Sequence, residues 1–176
     1  MKTETLIDQP VKSRKVAMGG TKGQPRIAIK KILAPTDFSP ASENALRYAL
    51  RFSGEFSSEI IFLHILESIM PLTYDGLALP PTVPEPGSSE TEKNLKALVV
   101  SARERGVEKA RAMFRRGIPS HEIVETAREL DVDLIVMSTH GYTGWKHFAI
   151  GSTAERVVRA APCPVLVVRE KEHDFI

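Results

Sequence analysis

Asp133-Leu134-Ile135-Val136-Met137 runs directly into Ser138-Thr139-His140-Gly141. Nine residues later comes Gly151-Ser152, and behind it Ala154, Val157, Val158 and Ala161 recur at helical spacing. Together these read as a strand, a loop of small residues and a helix start. In an α/β protein that is where backbone N–H groups and the positive end of a helix dipole meet a phosphate. Small residues suit the position because a Cβ would hold the backbone away from a ligand. The stretch has neither the Gly-Lys-Ser/Thr of a Walker A loop nor a GxGxxG fingerprint.

The same alternation extends outward in both directions. Ile27 to Ala34 is a β-rich run, followed by Ser39-Pro40 as N-cap and first helical residue. Ala45, Leu46, Ala49 and Leu50 form a helical stripe that ends near Gly54. Ile60-Ile61-Phe62-Leu63-His64-Ile65 is almost wholly apolar, as in a strand buried on both faces of a parallel sheet. Pro71 to Ser89 is rich in Pro, Gly and Ser and reads as a long loop. Ser89 to Glu92 forms a candidate capping box, and Leu95, Leu98, Val99 and Ala102 carry a helix up to Gly106. Val107 to Phe114 is a weaker strand, Pro119 opens a helix with Ile123, Val124, Ala127 and Leu130 inward, and Pro164 to Val168 is the last strand. Five strands alternating with four helices predict one doubly wound parallel sheet with helices on both faces. A ligand then belongs beyond the carboxyl ends of the strands, where the order of winding reverses.

Composition narrows the class. At 176 residues the chain is expected to form one domain. A net charge of +2 argues for neither a polyanion binder nor an acidic tail, so nucleic acid is not an expected partner. The single cysteine, Cys163, excludes an internal disulfide and suits a reducing cytoplasm. No apolar run approaches the roughly 20 residues of a membrane helix, so no membrane is expected either. Residues 1–26 are polar and basic and read as a disordered tail, 27–170 as the domain, and 171–176 as a short C-terminal tail.

Several pieces carry a resemblance. They are Lys31 to Ser39 (Lys-Ile-Leu-Ala-Pro-Thr-Asp-Phe-Ser), Leu63-His64-Ile65, Gly117-Ile118-Pro119, the loop from Ser138 to Ser152, and Ala161-Pro162-Cys163-Pro164-Val165-Leu166-Val167-Val168. In this order, over residues 27–170, they resemble the universal stress protein family. The resemblance implies an adenine-nucleotide α-hydrolase-like, Rossmann-like fold with strand order 3-2-1-4-5. It also implies a homodimer through the last strand, Val165 to Val168. In one branch of the family it implies bound ATP (or AMP or ADP), with Mg²⁺ carried on the phosphates. That branch has G-x2-G-x9-G-(S/T). Gly141, Gly151 and Ser152 match it, and Ser138 replaces the first glycine. If that position needs a positive φ, serine is strained there by about 1 kcal/mol.

The nucleotide-contacting set expected on these grounds is Pro35, Thr36, Asp37, Ile65, Met137, Ser138, His140, Gly141, Gly144, Gly151, Ser152 and Thr153. The Asp37 carboxylate would accept hydrogen bonds from the adenosine, or else stabilise the helix start behind it. The Ile65 backbone would read the adenine edge. Ser152 would bond a phosphate, or serve as an N-cap with Glu155 completing a capping box. Thr153 would offer its backbone N–H. His140 is expected near phosphate, His147 on the surface, His64 in a structural role and Cys163 buried and inert. Trp145 and Phe148 are expected to be packing or interface residues rather than a platform on which a base stacks. No Ser-His-Asp series, no metal-ligand spacing and no general base stands out, so no catalytic residue and no protein metal site are assigned. Two other functions stay open at this point: a dimeric interaction module that binds no nucleotide, and a slow ATPase.

Overall fold

The computed structural model describes residues 27–67, 89–139 and 150–170. Its elements alternate throughout: β1 (Lys31–Pro35), α1 (Pro40–Phe56), β2 (Glu59–Glu67), α2 (Ser89–Glu104), β3 (Ala110–Gly117), α3 (Pro119–Leu130), β4 (Leu134–Ser138), α4 (Ser152–Ala160) and β5 (Val165–Val168). The strands form one parallel sheet in the order β3-β2-β1-β4-β5, the order the resemblance implies. Two apolar layers enclose it. On one face Ile32, Ala34, Ile60, Phe62 and Val136 pack against Ala45, Leu46 and Ala49 of α1 and Leu95 and Ala102 of α2. On the other, Leu33, Ile61, Leu63 and Ile135 pack against Ile123, Val124 and Ala127 of α3 and Ala154 and Val157 of α4. Alternate residues of each strand feed opposite faces, so the central runs must be apolar at every position.

Several expected boundaries move. The first strand begins at Lys31 rather than Ile27, whose side chain is 79% exposed. α1 runs through Gly54 to Phe56 and ends where Ser57 turns left-handed at φ 53°. Val107 does not open the third strand. Gly106 ends α2 at φ 86° and donates to the Arg103 carbonyl at 2.9 Å, while Val107 donates to the Ala102 carbonyl at 3.0 Å. This is a Schellman closure, in which the residue after the left-handed one supplies an apolar contact. Val107 is accordingly 5% exposed and core-packed outside the sheet, and β3 starts three positions later than read, at Ala110. Cys163 is half-buried rather than fully buried. The loop read over Pro71 to Ser89 and the tails 1–26 and 171–176 lie outside the described residues, as does the Ser89 side chain of the candidate capping box.

Candidate functional site

The carboxyl ends of the strands do not stop level. β1 pairs with β2 only as far as Pro35 opposite Leu63, and with β4 only at Ile32 and Leu33. β2 continues four residues further, paired on its other side with β3 as far as Glu67 opposite Gly117. The short central strand leaves a crevice between β2 and β4.

The backbone groups facing this crevice follow from parity. In a strand, successive residues send their N–H and C=O to opposite neighbours. Glu59 N–H donates to Lys30 on the β1 side at 2.8 Å, and Ile60 N–H to Lys109 on the β3 side at 2.9 Å. The Leu63 carbonyl faces β1 and accepts from Thr36 N–H at 2.8 Å. Ile65 therefore also faces the β1 side, beyond the point where β1 ends. Across the crevice, Ile135 and Thr139 donate to β5-side carbonyls of Pro164 and Val168, at 3.0 and 2.9 Å. Val136 and Ser138, between and beside them, are thus turned toward β1. Ile65 and Ser138 flank the gap from its two sides.

Pro35 and Thr36 form its floor, both buried. Thr36 starts a tight loop into α1. Its Oγ1 accepts from Phe38 N–H at 3.0 Å and lies 3.1 Å from Ser42 Oγ. Asp37 Oδ1 accepts from Ser39 N–H at 3.1 Å and from Ser39 Oγ–H at 2.6 Å. Ser39 caps α1 as read from the sequence, accepting from Ser42 N–H at 3.2 Å, with Pro40 at the first helical position. Asp37 therefore does support the helix start, one of its two expected roles. Phe38 sits at φ 63°, an uncommon conformation for a bulky residue. Its ring lies 4.7 Å from that of His64, whose Nδ1–H donates to the Thr36 carbonyl at 2.8 Å. The structural role expected for His64 is this bond.

At the far side, Met137 is buried and Ser138 is the last residue of β4. Ser138 is not among the described residues with positive φ, so the strain considered for serine there does not arise. Gly151 N–H donates to the Thr139 carbonyl at 2.8 Å, which brings the start of α4 to the end of β4. The capping-box reading of Ser152 is corrected. Gly151 is the N-cap, at φ −70° and ψ 155°, with no side-chain cap bond. Ser152 is the first helical residue, and Glu155 pairs with Arg159 at 2.9 Å instead of reaching back. A helix leaves its first N–H groups without intrahelical partners, so the Ser152 and Thr153 amides stand at a dipole-positive terminus. His140, Gly141 and Gly144 lie outside the described residues, as do Trp145, His147 and Phe148.

Sequence reading missed the loop's internal supports, Phe38 and Ser42. Its one usable signal was the Ser39-Pro40 cap. Away from the crevice, burial and the charge of Asp133 push the Cys163 thiol up, which favours an unreactive thiol.

The model of the universal stress protein family matches residues 28–169. A universal stress protein of Methanocaldococcus jannaschii is 36% identical over 148 residues, covering 82% of this chain and 85% of its own. Among solved structures, a universal stress protein in complex with cAMP superposes with a TM-score of 0.62 at 21% identity, over 82% of this chain and all (100%) of that one. The universal stress protein of Archaeoglobus fulgidus in complex with dAMP gives a TM-score of 0.54 at 22% identity, over 81% and 99%.

Proposed function

The chain belongs to the universal stress protein family, and from that premise we propose that it is an ATP-binding regulatory protein of the stress response, acting as a homodimer in the cytoplasm. The observation that carries this reading is the conformation of Gly151. Its φ of −70° is open to any residue, so the backbone does not require glycine there. Glycine is a favourable N-cap, and with no Cβ it also lets a ligand come close to the helix start beside the crevice. An anionic group suits the amide donors and the positive dipole end of that helix start.

In this reading the triphosphate lies against Gly141, Gly151, Ser152 and the Thr153 amide, with Ser138, His140 and Gly144 completing the loop. The ribose and base lie over Pro35, Thr36, Asp37 and Met137. The Ile65 N–H and C=O, facing outward past the end of β1, offer one donor and one acceptor, which suits an adenine edge. The bound mononucleotides of the cAMP and dAMP complexes support an adenine nucleotide as the ligand class. Mg²⁺ would be carried by the phosphates; among the described residues no cluster of His, Cys, Asp and Glu suits a metal. The dimer would form through β5, an edge strand whose Val165, Leu166 and Val167 are only half-buried in the single chain. Among the described residues no helix is long and apolar enough to cross a membrane.

The test is mass spectrometry of small molecules released from purified protein, followed by calorimetry with ATP and Mg²⁺. A released adenine nucleotide and saturable binding are expected. No binding at millimolar ATP would instead favour an interaction module. Phosphate release above that of a site variant would favour a slow ATPase.

A further inference from the structure

We infer that His64 is a positioning residue for the nucleotide, holding the Thr36-Asp37-Phe38 turn in its ligand-ready shape. The inference rests on the function proposed above. Phe38 at φ 63° is one of three non-glycine residues with positive φ among those described. The other two, Ser57 and Asp131, each end a helix, where a left-handed residue closes the last turn. Phe38 ends nothing. It lies between the floor of the crevice and the cap of α1, and strain that persists at such a place must be held by its surroundings.

Two groups hold it. One is local: the Thr36 hydroxyl accepts the Phe38 amide at 3.0 Å. The other comes from a different strand. His64 Nδ1–H donates to the Thr36 carbonyl at 2.8 Å, and the imidazole lies against the Phe38 ring at 4.7 Å with the planes 31° apart. A carbonyl only accepts, so the partner assigns a proton to Nδ1. The bond is available only because β2 overruns β1. Leu63 makes the last β1–β2 ladder contact, and His64 is the next residue. One strand end therefore serves the crevice twice, with the Ile65 backbone facing it and the His64 side chain bracing its floor.

The consequence is a split between donor and ring. His64→Leu keeps bulk but removes the donor. His64→Asn keeps a donor at the position of Nδ1 and loses the ring. If the bond positions the turn, nucleotide affinity should fall about tenfold in His64→Leu, the worth of roughly one hydrogen bond. It should recover to within about threefold in His64→Asn.

The experiment measures two things on the full chain: ATP–Mg²⁺ affinity by calorimetry, and hydrogen exchange of the Phe38 amide in nucleotide-free protein by NMR. Thermal melts check that both variants are folded. The expected result is weaker binding and faster Phe38 exchange in His64→Leu, with both restored in His64→Asn. Wild-type affinity in a folded His64→Leu protein would overturn the positioning role while leaving ATP binding intact. Equal losses in both variants would overturn it too, assigning the effect to ring packing. Failure of the unmodified protein to bind ATP would overturn the proposed function, and the positioning role with it. The exchange measurement would then report only whether His64 orders an empty turn.

Discussion

The Gly151 amide donates to the Thr139 carbonyl at 2.8 Å, joining the start of α4 to the end of β4. Thr139 in turn donates to the Val168 carbonyl at 2.9 Å. One short chain of backbone bonds thus links β5, the end of β4 and the helix terminus beside the crevice. Both bonds are made by backbone groups, so a side-chain change at Gly151 should act on the ligand more than on the fold.

Gly151→Val is expected to abolish ATP binding in a folded protein. The φ of −70° and ψ of 155° suit valine. Valine is a poorer N-cap than glycine, which should cost about 0.5–1 kcal/mol. The branched side chain would fill the space assigned to phosphate. Calorimetry and a thermal melt check both halves, and near-native affinity in a folded variant would remove Gly151 from the site.

Ser138→Gly should bring no gain in affinity. The position ends a strand without positive φ, so there is no strain for glycine to relieve. Glycine in a strand should instead lower stability by about 0.5–1 kcal/mol. A several-fold tightening of ATP would mean that the loop takes a different backbone shape when loaded.

Val167→Lys should yield monomers or insoluble protein. The side chain is half-buried at the sheet edge and packs against the α3–α4 layer. Antiparallel pairing of two such strands about a two-fold axis would cover it. Sedimentation is the check, and an unchanged soluble dimer would place the interface elsewhere.

The Arg115 guanidinium hydrogen-bonds the Glu129 carboxylate and holds it below the usual carboxylate range. A carboxyl depressed in the folded state stabilises above its unfolded pKa, and that contribution is lost as pH falls through the folded value. Arg115→Ala should therefore raise the Glu129 titration midpoint, read by NMR. An unmoved midpoint would mean that the pair does not persist in solution.

How much of this was legible beforehand depends on distance along the chain. Strands, helices and their order follow from apolar periodicity, and the Ser39 cap and the small residues around Gly151 from local backbone chemistry. Both act within a few residues, and both can be read from the chain alone. Val107 was misread because an apolar residue looks the same in a strand and behind a left-handed glycine; only the bond to Ala102 tells them apart. The capping box read at Ser152 fails for a similar reason, since two adjacent residues can both cap and the bond from Glu155 N–H to the Gly151 carbonyl selects Gly151. The opening beside Ile65 was beyond any local signal. It exists because β1 stops at Pro35 while β2 runs on to Glu67, and where one strand ends against another is set by packing between segments far apart in the chain. The bond from His64 to Thr36, 28 positions apart, belongs to the same class. Apolar periodicity and local loop chemistry suffice for the architecture and for the kind of loop that ends β4. Tertiary structure decided which backbone groups were left facing the crevice, because a hydrogen-bonding group is available only where its neighbouring strand has run out.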